Sequence, residues 1–488
     1  MRVFLARWVG RLALVCLGAL VLFLGVRVWQ VGHAPSLEPW HTEVPHDLTA
    51  ADLAGMDWQG YLAAEDQVMA EVRAKVTDRL DPAEQQPFNR YFAGSPIYPE
   101  RFATNWNRSQ VLEPVGEPLG AMVFVHGLTD APYSGRHIAG AYRDRGWLAI
   151  LPRMPAHGTV PAALTDVDWE DWVAAVRVAV REARRRIGPG KPLHLVGFSN
   201  GGALVLMHAL DAIEDPSLGA PDRLVLLSPM IGVTAFARFA GIAGWPAFFP
   251  AFANAAWLSV VPEFIPFKYN SFPINGARQS FQLTRALQGR IDRMARTGQL
   301  DRLPPILTFQ SVVDFTVSTR AIITALYARL PANGSELVLF DLNRTIKFGP
   351  LLSSSANLIL NRVLPAPPRN WRAVILANAS PGDPSIVARI TEAGATAETV
   401  QPLSLTYPPE VFSLSHVALP FPLEDGLYGL RPDPKDDFGV QLGALATRGE
   451  RGALIMSLDA LMRMSSNPFF PYMIGRIEQG IAPARPPT

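Results

Sequence analysis

The sequence predicts an α/β fold in which a mostly parallel sheet is flanked by helices. From Leu119 onward, short apolar segments alternate with segments of helical periodicity. Such strand–helix–strand repetition produces a parallel sheet with helices on both faces. A second observation is the sharp break at Gly197-Phe198-Ser199-Asn200-Gly201, which separates an apolar run from a helical one. Because glycine has no Cβ, Gly197 and Gly201 permit a very tight turn from a strand into a helix.

The alternating elements follow one another from residue 119 to residue 341. Strands are predicted at Ala121–Val125, Trp147–Leu151, Leu193–Val196, Leu224–Leu227, Pro305–Gln310 and Glu336–Asp341, and helices at Arg136–Arg145, Trp169–Ile187, Ala203–Met207 and Ser318–Leu330. In a parallel sheet the functional loops gather at the carboxyl ends of the strands. Polar residues that directly follow a predicted strand are therefore the first candidates for chemistry.

The helix predicted at Trp169–Ile187 carries a cluster of arginines on one side. Its apolar residues recur at the spacing of one helical face, which indicates that this face is buried. The arginines that point away from it are Arg177, Arg181, Arg184 and Arg185. A solvated face is the ordinary interpretation of such a cluster, and contact with an anionic lipid is the alternative.

The composition excludes several classes of protein. A chain of 488 residues with 49% hydrophobic and 18% charged residues is folded and has room for two or three domains. Its net charge of +1 argues against a general nucleic-acid surface. Cys16 is the single cysteine, so a disulfide framework and a zinc–thiolate cluster are both excluded. We expect no metal and no organic cofactor.

The N-terminus resembles a membrane anchor. Arg2, Arg7 and Arg11 precede an uncharged run from Leu12 to Val26, and the flanking residues extend it towards the roughly 20 residues that a span needs. Arginines ahead of the run favour a cytoplasmic N-terminus. We predict that residues 1–30 form a single transmembrane pass in a bacterial-type inner membrane, with the remaining chain periplasmic or extracellular. A cleaved signal peptide and a buried helix are the alternatives.

The remaining chain divides into two predicted parts. Residues 31–115 are predicted to be a linker and a helical extension, with a helix from Trp58 to Leu80. The linker's three histidines, His33, His41 and His46, have irregular spacing that does not favour a metal site. Residues 116–488 are the main domain.

Ser199 is the candidate nucleophile because the tight turn projects it from the end of its strand. In proteins with such a turn the serine is followed along the chain by an acid and then by a histidine. Only two of the nine histidines, His208 and His416, come after Ser199, and His208 lies on the helix that leaves the turn. His416 is therefore the predicted base. Asp314, after a predicted strand, is the predicted acid, although it could instead cap the next helix, and Asp341 is its competitor.

A serine nucleophile also needs two N–H donors for the oxyanion that develops during attack. One is the backbone amide after the nucleophile, which belongs to Asn200, and the other lies in the loop after the first core strand, where Leu128 is the best candidate. His126 precedes that loop, and we expect its ring nitrogens to brace the loop rather than to act as the base.

Five motifs together resemble the α/β-hydrolase superfamily, in its serine aminopeptidase and monoacylglycerol lipase-like branch, which includes carboxylesterases and lysophospholipases. The motifs are His126–Thr129, Pro155–Thr159, Gly197–Gly201, Asp314–Val317 and Ser415–Val417. The resemblance implies Ser199 as nucleophile, His416 as base, Asp314 as acid, and Leu128 and Asn200 as oxyanion donors.

The resemblance also implies a serine hydrolase that cleaves carboxylic esters of a small molecule or lipid through an acyl-enzyme. The alternatives on the same fold are a thioesterase, an acyltransferase, a peptidase or a non-catalytic membrane-tethered binding protein. A peptidase that selects a free amino terminus would need an acid in the cap, and Glu263 is the only acid between Pro229 and Ile291.

Two segments depart from the usual pattern. Residues from about 231 to 300 stand where the branch places a helical cap, and they are rich in aromatic residues. These aromatics are expected to form the core of the cap, to bind an acyl chain, or to form a surface that dips into a membrane. Residues from about 345 to 410 are an insertion before His416, predicted to be an extra strand–helix unit with a strand at Ala373–Ala377 and a helix at Pro384–Glu392.

Overall fold

The computed structural model describes residues 35–232, 254–345, 363–443 and 465–481, with single positions 8, 11, 14, 17, 18, 21, 22, 25, 360, 462 and 463. The predicted anchor at residues 1–30 lies outside the described residues except for eight of these positions. Among the helices that are described, none has both the length and the apolar character needed to cross a membrane.

One large sheet organises the described chain. Its strands and those of a small hairpin are β1 (Gln110–Leu112), β2 (Ala121–Val125), β3 (Leu148–Leu151), β4 (Leu193–Phe198), β5 (Arg223–Leu227), β6 (Trp257–Ser259), β7 (Phe272–Pro273), β8 (Ile306–Ser311), β9 (Glu336–Phe340), β10 (Arg372–Asn378), β11 (Ser385–Thr391) and β12 (Glu398–Thr406). The order in the large sheet is β1-β3-β2-β4-β5-β8-β9-β10-β11-β12. All neighbours from β3 to β10 are parallel, whereas β1, β11 and β12 pair antiparallel.

Helices cover both faces of this sheet. The described α-helices are α1 (Pro39–Thr42), α2 (Ala50–Leu53), α3 (Trp58–Lys75), α4 (Arg136–Arg143), α5 (Trp169–Ile187), α6 (Asn200–Glu214), α7 (Ile274–Arg296), α8 (Thr319–Ala321) and α9 (Phe470–Glu478). Helices α5, α6 and α7 bury their apolar faces against one side of the sheet, and α4 and α9 against the other. Alternate residues of a strand point to opposite faces of the sheet. In β2, Val123 therefore lies in the core with α5, α6 and α7, and Phe124 lies in the core with α4 and α9. The predicted α/β architecture is confirmed.

The insertion before His416 differs from the prediction in one element. The strand predicted at Ala373–Ala377 is confirmed as β10, but the helix predicted at Pro384–Glu392 is wrong, because this segment is strand β11. β-branched residues at Ile386, Val387 and Ile390 favour a pleated strand over a helix. The unit is therefore a three-stranded antiparallel extension of the sheet edge, β10-β11-β12, rather than a strand–helix unit.

The N-terminal extension is bound to the sheet through a buried arginine. The side chain of Arg153 has no exposed surface, and it forms ion pairs with Asp47 at 2.7 Å and with Glu65 at 3.3 Å. Burial by itself raises the pKa of Asp47, but the charge and hydrogen bonds of Arg153 outweigh it and hold that pKa below its ordinary value. Replacing one partner of a buried ion pair by a neutral residue lowers stability strongly, because the other charge is left unpaired in the interior.

The first described part of the predicted linker and helical extension, residues 35–50, contains residues that pack against the rest of the chain. Trp40 is buried and stacks on Tyr91, and Asp47 is held by Arg153 as above. The ring nitrogen Nε2 of His41 lies 3.0 Å from the Ser271 hydroxyl. The partners in these contacts lie far along the chain, so the local sequence does not indicate that this part of the predicted linker is packed.

The cap predicted at about residues 231–300 is described from residue 254 onward, and residues 233–253 lie outside the described chain. Its described part is the hairpin β6–β7 and the helix α7. The aromatic side chains of Phe264 and Phe267 are buried in one cluster with Tyr133 and Phe421. Tyr133 and Phe267 stack with their ring centroids 4.7 Å apart. These two cap aromatics therefore pack against the rest of the domain, in a cluster that includes residues from outside the cap.

Candidate active site

Ser199 occupies a strained turn between β4 and α6. Its φ of 56° and ψ of −117° are unusual for a residue other than glycine, and such strain is found mainly at functional sites. A Cβ on Gly197 would collide with the carbonyl of Gly201, and one on Gly201 with the carbonyl of Val125. These two glycines are therefore required by the close approach of the backbone, as the sequence predicted.

A continuous hydrogen-bonded chain joins Ser199, His416 and Asp314. The Nε2 atom of His416 lies 2.9 Å from the Ser199 hydroxyl, and its Nδ1 atom lies 2.8 Å from a carboxylate oxygen of Asp314. An ionised carboxylate only accepts hydrogen bonds, so Nδ1 donates and Nε2 is free to accept the serine proton. The ring of Phe198 stacks on that of His416 with centroids 5.4 Å apart, which restrains the imidazole.

The carboxylate of Asp314 is buried and is held in position by its own loop. Its second carboxylate oxygen accepts the backbone N–H groups of Thr316 at 2.8 Å and Val317 at 3.0 Å. Burial raises the pKa of Asp314, but the His416 charge and these hydrogen bonds together bring the pKa below its ordinary value. The cap of the following helix is Ser318, whose hydroxyl accepts from the Ala321 amide. Asp314 is therefore free of the alternative role of a helix cap.

The competing acid, Asp341, has other partners. Its carboxylate pairs with Arg344 at 3.1 Å, and its backbone carbonyl accepts from the Tyr407 hydroxyl at 2.8 Å. The side-chain amide of Asn343 donates to Val411, so this strand end holds the loop that leads to His416. After the long insertion, the chain thus returns to the carboxyl end of β9.

The loop after β2 is braced by His126, as predicted. Its Nδ1 atom donates to the Gly127 carbonyl at 2.9 Å, and its Nε2 atom accepts the Met154 amide at 3.1 Å. Burial lowers the pKa of His126 to about 4, so the ring is neutral near pH 7. Among the described residues, neither the Leu128 nor the Asn200 amide donates to a protein acceptor. Both amides are thus available to an oxyanion, and their role as donors stays a prediction.

The cap contacts both the turn and the oxyanion loop. The Ser280 hydroxyl on α7 donates to the side-chain carbonyl of Asn200 at 3.0 Å. The Tyr269 amide donates to the Thr129 carbonyl at 2.8 Å. Glu263, the acid considered for a peptidase, is fully buried and accepts the backbone amides of Asn270 and Ser271. Its carboxylate therefore has a structural role in the cap.

Asp425 is the centre of a polar cluster that was not predicted from the sequence. Asp425 is buried, accepts from the Tyr133 hydroxyl at 3.0 Å, and forms an ion pair with Arg136 at 2.9 Å. It also accepts a hydrogen bond from Nε2 of His137 at 2.8 Å. The cluster ties the start of α4 to the chain that follows His416. No local motif could have revealed it, because its members are separated by almost 300 residues.

The strand order and the strained turn at Ser199 are those of an α/β-hydrolase fold, and the hydrogen-bonded Ser–His–Asp chain is its candidate active site. Comparison with known families agrees, since residues 116–342 match the family described as serine aminopeptidase, S33. The resemblance to this branch of the α/β-hydrolase superfamily is thereby confirmed.

Individual proteins also resemble the chain over parts of its length. A thermostable monoacylglycerol lipase from Bacillus sp. (strain H-257) is 35% identical over 89 residues, which is 18% of this chain and 34% of the relative. The match thus spans about a third of this curated relative's length.

Among solved structures, one from a study of the metagenome-derived lipolytic enzymes LipS and LipT is 19% identical and has a TM-score of 0.39. It covers 53% of this chain and 95% of its own. A monoacylglycerol lipase from Paleococcus ferrophilus is 14% identical with a TM-score of 0.36, and it covers 52% of this chain and 97% of its own.

Proposed function

We propose that this protein hydrolyses carboxylic esters through an acyl-enzyme on Ser199. The observation that carries the proposal is the hydrogen-bonded chain from Ser199 through His416 to Asp314, set at a strained turn. A binding protein without catalysis would not need this strain or the alignment of all three side chains. The similarity of part of the chain to a monoacylglycerol lipase supports an ester of a lipid as the substrate.

The proposed reaction has two halves. In the first, Nε2 of His416 takes the Ser199 proton while the serine oxygen attacks the ester carbonyl, and the Leu128 and Asn200 amides stabilise the oxyanion. Asp314 stabilises the imidazolium without taking its proton. His416 then gives the proton to the departing alcohol, which leaves an acyl-enzyme. In the second half, His416 activates a water molecule that attacks the acyl group, and the carboxylic acid is released as Ser199 regains its proton.

The proposal is tested with a fluorophosphonate probe and with p-nitrophenyl esters of increasing chain length. We expect the probe to label Ser199, identified by mass spectrometry of the labelled peptide. We expect ester turnover to exceed that of aminoacyl p-nitroanilides, because the buried Glu263 offers no carboxylate to a free amino terminus. Absence of both labelling and turnover would contradict the proposal and favour the non-catalytic binding protein.

We also propose that the N-terminal segment tethers the protein to a membrane, with the hydrolase domain outside the cytoplasm. The support comes from the sequence, in which arginines precede an uncharged run of apolar residues. The full-length chain is expected to stay in the membrane pellet after extraction with alkaline carbonate, whereas a chain that begins at residue 35 is released. Release of the full-length chain in the same extraction would contradict the tether.

A further inference from the structure

A cleft lies between α2, α5, α6 and α7, and it does not include Ser199, His416 or Asp314. Its volume is about 770 Å³, which is within the range of small-molecule sites. Part of its wall is apolar, and the side chains there are Leu53, Trp169, Val173, Met207, Leu218 and Ala286. A ligand in this cleft would thus meet an apolar surface large enough for a short hydrocarbon chain.

The polar part of the cleft has an excess of positive charge. Its charged lining consists of Arg177, Arg181, Arg285, Arg290 and Arg293 with the two acids Glu170 and Asp211. Asp211 is shared, since it pairs both with Arg177 at 2.7 Å and with Arg290. Glu214 also pairs with Arg290 at 3.3 Å and with Arg293 at 2.8 Å. Three of the five arginines are thus paired with carboxylates, and Arg181 and Arg285 are the two that have no carboxylate partner among the described residues.

Arg285 has no partner among the described residues, and Arg181 donates only to the backbone carbonyl of Met56. Guanidinium groups bind carboxylates and phosphates with paired, charge-assisted hydrogen bonds. Arg285 is also exposed, so a ligand can reach it without displacing a protein group.

The undescribed segments of the chain offer no anionic occupant. Residues 1–34, 233–253 and 346–359 contain no aspartate or glutamate, and the two acids in residues 444–461 are accompanied by two arginines. These segments carry neutral or positive charge, which does not complement the cleft. The complementary group must therefore come from another molecule.

We propose that this cleft is a binding site for a single-chain anionic amphiphile, a molecule with a carboxylate or phosphate-monoester head and a hydrocarbon tail. The head pairs with Arg285, Arg181 adds a second positive charge to the same cleft, and the tail lies against the apolar wall. The site is separate from the catalytic serine, so the proposal does not depend on the esterase activity.

The test measures binding of octyl phosphate to the full-length chain in a nonionic detergent by calorimetry, before and after treatment with the fluorophosphonate. Arg285→Glu is expected to weaken binding at least tenfold, because it replaces an attraction with a repulsion. The matched control is Arg278→Glu, which makes the same charge change at an exposed position of the same helix outside the cleft. Arg278→Glu should leave the affinity unchanged.

Further ligands distinguish the contribution of the head to binding from that of the tail. Octanoate in place of octyl phosphate shows which head is preferred, and tighter binding of either one supports the site. Inorganic phosphate and octanol should each bind at least tenfold more weakly, because each lacks one half of the amphiphile. Equal effects of Arg285→Glu and Arg278→Glu, or octanol binding as tightly as octyl phosphate, would overturn the proposal. Failure of the esterase proposal would instead appear as a missing fluorophosphonate label, with binding in the cleft unaffected.

Discussion

Replacing Ser199 with alanine is expected to lower kcat for p-nitrophenyl esters by roughly 10⁶-fold, the scale of losing a serine nucleophile that acts with its base. Because alanine removes only the hydroxyl and keeps the Cβ, it can hold the same φ of 56° as serine. The melting temperature should therefore change little, and the variant should still bind substrate. Steady-state kinetics and thermal unfolding of the same preparation measure the two quantities.

The matched control for this variant is Ser311→Ala. The Ser311 hydroxyl is buried at the end of β8, and it has no hydrogen-bond partner among the described residues. Removal of its oxygen should leave both kcat and the fluorophosphonate reaction close to wild type. If Ser199→Ala retained wild-type turnover, or if both variants lost it equally, Ser199 would not be the nucleophile.

The site could be predicted from the sequence where local geometry dictated the residues. A turn that brings Gly197 and Gly201 against neighbouring carbonyls excludes a Cβ at both positions, so the pattern around Ser199 carries structural information by itself. His416 could be identified although it is 217 residues from Ser199, because the chain order of such sites left only one suitable histidine. The parallel core was predictable for a similar reason, since strands buried on both faces are continuous apolar runs.

The parts that could not be predicted depend on partners distant in the sequence. Segment 385–391 has the β-branched residues of a strand, but Asp383-Pro384 before it is also a common helix start. Pairing with β10 and β12 decides between the two structures. Arg153 and Asp425 likewise have no local signature, because each acts by neutralising charges brought to it from other parts of the chain.

The second large effect is expected for Asp314→Asn, which should lower kcat about 10⁴-fold, the scale seen when the acid of such a site becomes an amide. In the wild-type structure Nδ1 of His416 donates to the Asp314 carboxylate, which fixes the tautomer whose Nε2 accepts the serine proton. An asparagine amide can donate to Nδ1, and it then favours the opposite tautomer, in which Nε2 carries a proton and cannot act as a base. The variant also loses the negative charge that stabilises the imidazolium.

Asp341→Asn is the control that distinguishes the two candidate acids. Both carboxylates are buried, and both residues follow neighbouring strands, Asp341 directly after β9 and Asp314 three residues after the end of β8. The same isosteric change is made at each. Because Asp341 pairs with Arg344 rather than with His416, its substitution should cost some stability and leave kcat within a few-fold of wild type. The rate of fluorophosphonate labelling, measured for both variants, reports the basicity of His416 without substrate binding. If Asp341→Asn slowed labelling as strongly as Asp314→Asn, the loss in both would come from a disturbed loop, and the assignment of Asp314 as the acid would fail.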